Sequence, residues 1–189
     1  KDVDTIFVST NKKFEKHFTN WLGYIKNNSN VKLVIENHSS EENKLGAIGS
    51  LKYLIDNYSI NDDIIILAGD NLFEFKLSDF LDYYKERKTP VVASFDMQDV
   101  KKIKNRYGVV IVDNNNKVIE FQEKPENPHS TLVSTGCYIF PKQVLKMISE
   151  YLDNKNNPDA PGFFLEWLSK KVDIYSFVFK ERWFDIGHI

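Results

Sequence analysis

The most apolar short run of the chain, Ile64-Ile65-Ile66-Leu67-Ala68, lies between two stretches of helical periodicity and ends on Gly69-Asp70-Asn71. Such a run offers no polar face to water, so a strand built from it must be covered on both sides. That is the pattern of a central parallel strand, and it demands helices before and after it. The flanking sequence supplies them. Thr5-Ile6-Phe7-Val8-Ser9 reads as a short buried strand, and Phe14, Phe18, Trp21, Leu22 and Ile25 then share one helical face. Residues 27–30 read as a turn, 31–36 as a second strand and 41–44 as a polar loop. Beyond Gly46, a stripe of Ile48, Leu51, Leu54, Ile55 and Tyr58 predicts another helix, closed by Asn61-Asp62-Asp63. Downstream, Ser78 is placed to cap a helix that runs to Arg87 and carries Phe80, Leu81 and Tyr84, and residues 90–96 form a further strand. The β-α-β-α-β-α-β rhythm predicts an α/β fold with three layers, α/β/α and Rossmann-like, on a mixed, mainly parallel sheet.

The second half changes character. Residues 107–112 and 117–123 flank Asp113-Asn114-Asn115-Asn116 and read as a β-hairpin inserted as an extra layer. Residues 133–140 form a strand, 142–152 a helix, 153–162 a loop with two prolines, 163–171 a helix and 173–179 a last strand. At 189 residues, with 42% apolar and 28% charged side chains, the chain is expected to be one domain spanning 1–189. A net charge of −2 argues against a general nucleic-acid binder, and no apolar run approaches a membrane span. The start, Lys1-Asp2-Val3-Asp4, does not read as a signal peptide, and the lone Cys137 excludes an internal disulfide, so the expected location is the cytoplasm. The glycosylation patterns at Asn27, Asn37 and Asn57 then read as chance matches in an asparagine-rich chain.

Three polar motifs follow strand-like runs: Gly69-Asp70-Asn71, Glu123-Lys124-Pro125 and Trp183-Phe184-Asp185-Ile186-Gly187. Two carboxylates can hold a hard divalent cation, and a lysine can hold a phosphate. Each motif also has a plainer reading. Gly-Asp-Asn makes a good turn anywhere, Glu-Lys-Pro a solvated strand end, and the tryptophan cluster a core anchor followed by a capping aspartate. The four histidines show no metal-ligand spacing and receive no catalytic role.

Taken together and in order, these runs resemble the sugar-nucleotide pyrophosphorylases, the sugar-1-phosphate nucleotidyltransferases. The resemblance rests on Leu45-Gly46-Ala47, Gly69-Asp70-Asn71, Arg106-Tyr107-Gly108-Val109-Val110, Glu123-Lys124-Pro125, Ser134-Thr135-Gly136-Cys137-Tyr138 and Trp183-Phe184-Asp185-Ile186-Gly187. It looks nearest to the glucose-1-phosphate thymidylyltransferase-like branch. It implies a nucleotidyltransferase fold and Mg²⁺-dependent transfer of a nucleotidyl group from a nucleoside triphosphate to a sugar 1-phosphate, with glucose 1-phosphate as the expected acceptor. By the same resemblance Asp70 and Asp185 would bind Mg²⁺, and Lys124 would hold the sugar phosphate. Glu123 would accept hydrogen bonds from sugar hydroxyls. Gly108 and the run Ser134-Thr135-Gly136 would let the backbone approach the sugar, and Leu45 and Gly46 would line the nucleotide side. A homo-oligomer is the usual assembly in such a family.

One departure is large. Family members open on a strand and a glycine-rich loop carrying an arginine, and none of the eight glycines here matches that loop. The expectation is a domain that lacks its first strand and that loop, and that turns over weakly or not at all by itself. A non-catalytic regulatory or assembly subunit on the same scaffold is the alternative. A glycosyltransferase with a similar sheet fits less well, because Asp70 is followed by Asn71-Leu72 rather than by the Asp-x-Asp element such enzymes use for their metal.

Overall fold

A computed structural model describes residues 3–25, 28–36 and 45–187. The elements in order are β1 (Ile6–Asn11), α1 (Glu15–Tyr24), β2 (Val31–Glu36), α2 (Gly46–Asn57), β3 (Ile64–Leu67), β4 (Asn71–Phe73), α3 (Leu77–Arg87) and β5 (Val91–Asp96). They continue with α4 (Val100–Ile103), β6 (Val109–Val112), β7 (Val118–Gln122), β8 (Leu132–Phe140), α5 (Lys142–Asp153), α6 (Pro161–Leu168), β9 (Tyr175–Phe179) and β10 (Trp183–Asp185). The expected loop at 41–44 and the pattern at Asn37 lie outside the described residues.

The main sheet has six strands, ordered β7-β6-β8-β5-β9 with β3 also on β8. β5 pairs with β9 in parallel, whereas β8 runs against β3, β5 and β6. Four strands, β3, β5, β6 and β9, therefore point one way, and the sheet is mixed with one majority direction. Alternation along β8 divides the core. Cys137 and Ile139 pack with Phe75, Phe80, Tyr84 and Phe179 under α3, while Tyr138 and Phe140 pack with residues of α5 and α6 on the other face. These are the three layers the sequence predicts. The β6–β7 hairpin is antiparallel as expected, with Val109 opposite Gln122, but it is not a further layer: β6 pairs with β8, so the hairpin extends the main sheet.

Several local expectations need correction. β3 is not a central parallel strand: its partner is the antiparallel β8, its isoleucines are half-buried, and Leu67 is 45% exposed. Apolarity reports burial, but strand direction depends on a partner more than 60 residues away, beyond the reach of a local pattern. β1 and β2 pair in parallel as a separate two-stranded sheet, and β1 is half-buried rather than buried. The apolar stripe of α1 stays near the surface, with no buried residue in the helix and Trp21 43% exposed. Ser78 lies inside the first turn of α3, behind the N-cap Lys76, and its hydroxyl donates to Asp79 (3.2 Å). The helix expected to begin at residue 163 begins at Pro161, whose fixed φ and missing N–H suit a first helical position.

Candidate active site

The short strands β4 and β10 bring two distant acids together. They pair antiparallel with Asn71 opposite Asp185, and Ile186 N donates to Asp70 O (2.8 Å), which extends the ladder past Asp70. Trp183 Nε1 donates to Asn71 Oδ1 (2.9 Å), and Asn71 Nδ2 donates to Asp70 Oδ1 (2.7 Å). The backbone amide of Gly187 donates to Asp185 Oδ1 (2.9 Å). Each carboxylate is thus oriented by a donor fixed in the fold. A Cβ built on Gly187 would lie 2.8 Å from Asp70 Oδ2 and 3.2 Å from Asp185 Oδ1. Both acids converge on the one spot that the absent side chain leaves open.

The opposite wall comes from β8 and the hairpin. Register shifts between Val92 and Ser94 where β5 meets β8, and Ser134, Gly136 and Tyr138, two apart along β8, line the same cleft. Ser134 N donates to Gly108 O (2.8 Å), and the hydroxyls of Ser134 and Tyr138 lie 3.1 Å apart. Thr135 also lines the cleft, but its hydroxyl is taken up by Ala93 O (3.0 Å). Gly108 precedes β6 and Glu123 follows β7, so the hairpin register sets them across from each other. Glu123 Oε2 lies 3.0 Å from a Cβ built on Gly108 and 1.6 Å from one built on Gly162. The carboxylate occupies a slot between two glycines. None of the described groups donates a hydrogen bond to it. Burial raises its pKa, with Lys124 opposing and Glu166 adding to the rise.

The cleft therefore gathers Asp70, Asp185, Gly108, Glu123, Ser134 and Gly136. Lys124 is exposed at φ 45° directly beside Glu123 but does not line the cleft. Leu45 and Gly46 lie outside it as well. Gly46 has φ +71°, and a Cβ there would meet Pro158 O at 2.5 Å. Ala47 N and Ile48 N donate to Asp159 O (3.2 Å) and Pro158 O (2.9 Å), so the start of α2 braces the loop that leads into α6. Arg106, Tyr107, Asn71, Tyr138, Pro161, Gly162 and Trp183 line the cleft without having been singled out for a role in the sequence. Proximity of Asp185 could have nominated Trp183; Pro161 and Gly162 reach the site only through the fold. Burial and then the charge of Asp185 push the Tyr107 phenol up, and Arg106 opposes. A more open depression at Glu86, Arg87, Asn114, Asn115, Asn116 and Tyr175 holds one carboxylate beside an arginine and no acid pair.

Two carboxylates around an open spot suit a hard divalent cation whose remaining ligands come from phosphate and water. Among the described residues no cluster of three or more His, Cys, Asp or Glu could hold a metal ion, so the acid pair is the ligand set this cleft offers. No helix among them is long and apolar enough to cross a membrane.

The nucleotidyl transferase family matches residues 1–189. The chain is 29% identical over 187 residues to the bifunctional protein GlmU of Methanocaldococcus jannaschii, covering 98% of this chain and 40% of that protein. It is 36% identical over 129 residues to the glucose-1-phosphate adenylyltransferase of Mycoplasma mobile, covering 66% and 33%. Its fold is similar to a Bacillus anthracis structure assigned as a glucose-1-phosphate thymidylyltransferase, crystallised with sucrose: TM-score 0.79, 21% identity, 98% of this chain and 72% of that one. The chain spans less than half the length of these curated relatives. By sequence match over residues 1–189, the chain belongs to the nucleotidyl transferase family.

Proposed function

We propose that this domain transfers a nucleotidyl group from a nucleoside triphosphate to a sugar 1-phosphate, releasing pyrophosphate. The observation that carries the reading is the convergence of Asp70 and Asp185 on the space left by Gly187, in one cleft with a carboxylate, Glu123, that no described group satisfies. An unpaired, half-buried carboxylate calls for donors, and a sugar ring presents hydroxyls. A phosphate monoester is already ionised near neutral pH, so its oxygen needs no general base to attack the α-phosphorus. As that P–O bond forms, the bond to the bridging oxygen breaks and pyrophosphate leaves with the electron pair. Catalysis reduces to alignment and charge compensation.

In this reading Asp70 and Asp185 hold Mg²⁺, which when bound neutralises phosphate charge. Glu123 and the backbone at Gly108, Ser134 and Gly136 seat the sugar, Lys124 reaches its phosphate, and Leu45 and Gly46 serve the nucleotide side indirectly, through the loop they brace. Glucose 1-phosphate is the proposed acceptor, as the name of the Mycoplasma mobile relative suggests. Thymidylyl transfer, cytoplasmic location, a homo-oligomer and a single domain over 1–189 complete the proposal. The edge of β3 that carries no strand among the described residues, and the separate β1–β2 sheet, fit a domain without the first strand and glycine-rich loop of the family. The domain alone is then a weak catalyst. The same open edge favours, as a second reading, a regulatory or assembly subunit.

Pyrophosphate release with Mg²⁺, across a matrix of nucleoside triphosphates and sugar 1-phosphates, tests the proposal. Slow release with one clear pair, lost in Asp70→Asn without loss of folding, is expected. Release that is insensitive to Asp70→Asn overturns the assignment of the acid pair.

A further inference from the structure

We infer that Arg106 is a second cation for the phosphate of the acceptor, placed inside the cleft where Lys124 is not. The inference rests on the function proposed above and adds a residue to it.

Among the described residues that line the cleft, Arg106 alone carries a positive charge, against Asp70, Asp185 and Glu123. A dianionic ligand cannot sit among three carboxylates without compensation. A cation at the Asp70–Asp185 end would balance that end only, and the stretch toward Glu123 needs its own positive group. Arg106 is exposed, and its guanidinium lies 5.6 Å from the centroid of the Tyr107 ring. It forms no ion pair among the described residues, whereas its neighbour Lys104 is paired with Glu126 (3.3 Å). An arginine with no ion pair among the described residues, lining one cleft with three acids, is available to a ligand.

The backbone holds it there. Asn105 and Lys124 are both in the left-handed region, at φ 58° and 45°, where non-glycine residues are uncommon. Asn105 N donates to Pro125 O (3.0 Å), tying the Arg106 turn to the Glu123-Lys124-Pro125 turn, and Arg106 N donates to Ile103 O (2.9 Å). Two basic residues are thereby fixed on adjoining turns, of which Arg106 lines the cleft and Lys124 does not. A guanidinium binds phosphate through two parallel N–H groups, which a lysine cannot do. Arg106 therefore sets the orientation of the phosphate, and Lys124 adds charge from outside.

The test is titration of the full chain, by calorimetry, with glucose 1-phosphate, inorganic phosphate and Mn²⁺. Arg106→Gln should weaken glucose 1-phosphate and inorganic phosphate at least about tenfold and leave Mn²⁺ affinity unchanged. Arg106→Lys should restore less than half of the lost binding free energy. Because the side chain is exposed, the variant should melt as the wild type does, and a thermal scan checks this. Unchanged glucose 1-phosphate affinity in Arg106→Gln, with loss in Lys124→Gln, overturns the inference and leaves the proposed function standing. Failure of the unmutated chain to bind any sugar 1-phosphate overturns the function itself.

Discussion

At the scale of single residues, the slot around Glu123 makes two opposing demands. Its carboxylate fits only because Gly108 and Gly162 have no side chains, and a methyl group at residue 162 would overlap Oε2. Gly162→Ala should therefore displace the carboxylate and weaken sugar 1-phosphate binding about tenfold or more. The shorter Glu123→Asp should recover part of that loss only when combined with Gly162→Ala, a coupling that a double-mutant cycle measures. The raised pKa gives the second demand. A carboxyl whose folded pKa lies above its ordinary 4.5 stabilises the fold fully below that value. That contribution is lost as pH rises through the folded pKa and is absent above it. Wild type should thus lose stability relative to Glu123→Gln as pH climbs from 4.5, in denaturant melts read against pH, while sugar affinity rises over the same range as the better acceptor forms. Asp70, Asp185 and Glu123 were legible in the sequence because each sits in a compact polar motif after an apolar run. Gly162 was not, since nothing in Pro161-Gly162-Phe163 announces that a carboxylate from another element will fill its side-chain position.

At the scale of elements, the acid pair depends on a ribbon only three residues long on each side. β4 was invisible to pattern reading, because Asn71-Leu72-Phe73 is too short for a period and its partner lies at the far end of the chain. The longer strands, the helices and the β6–β7 hairpin could be read because each carries its own period or turn residues. The direction of β3 could not. What holds the ribbon in register is the indole of Trp183, packed against Phe95 and Tyr107 and donating to Asn71. Trp183→Phe keeps most of that packing and removes the donor. It should cost about 1 kcal/mol of stability. It should also weaken Mn²⁺ binding about tenfold, the range expected when a group that orients a ligand is lost. Asn71→Ala should do the same, and the two losses should not add, because both act through the one path to Asp70. Additive losses in Mn²⁺ titrations would show that Trp183 reaches the acids by another route.

At the scale of the whole molecule, burial is unevenly divided. Before β3, Val34 and Ile48 are the only buried residues among those described, whereas β5, β8, α5 and α6 carry the two main clusters. The β1–β2 sheet has no strand partner beyond itself among the described residues. Glu36 ties it to α2, its two oxygens accepting from Ser9 Oγ within the sheet (2.7 Å) and from Ser50 Oγ on α2 (2.8 Å), and the Phe7 ring lies 4.7 Å from that of Tyr58 just beyond α2. Few buried contacts and an open edge are the marks of a unit that opens below the global unfolding free energy. Native-state hydrogen exchange should therefore show β1, α1 and β2 losing protection at denaturant concentrations where β5 and β8 remain closed. Glu36→Ala leaves two hydroxyls without their acceptor and should widen that gap, accelerating exchange in β1 and β2 with little change in β8. Exchange of β1 and β8 in a single cooperative step, before and after the substitution, would mean that α2 couples the two sheets more tightly than their burial indicates. A partly independent β1–β2 unit would leave the acid pair and Glu123 intact while it opens, because every residue lining that cleft lies from Asp70 onward. Sugar 1-phosphate should then slow exchange in β8 and β10 without protecting β1, placing the acceptor half of the reaction in the stable part of the molecule.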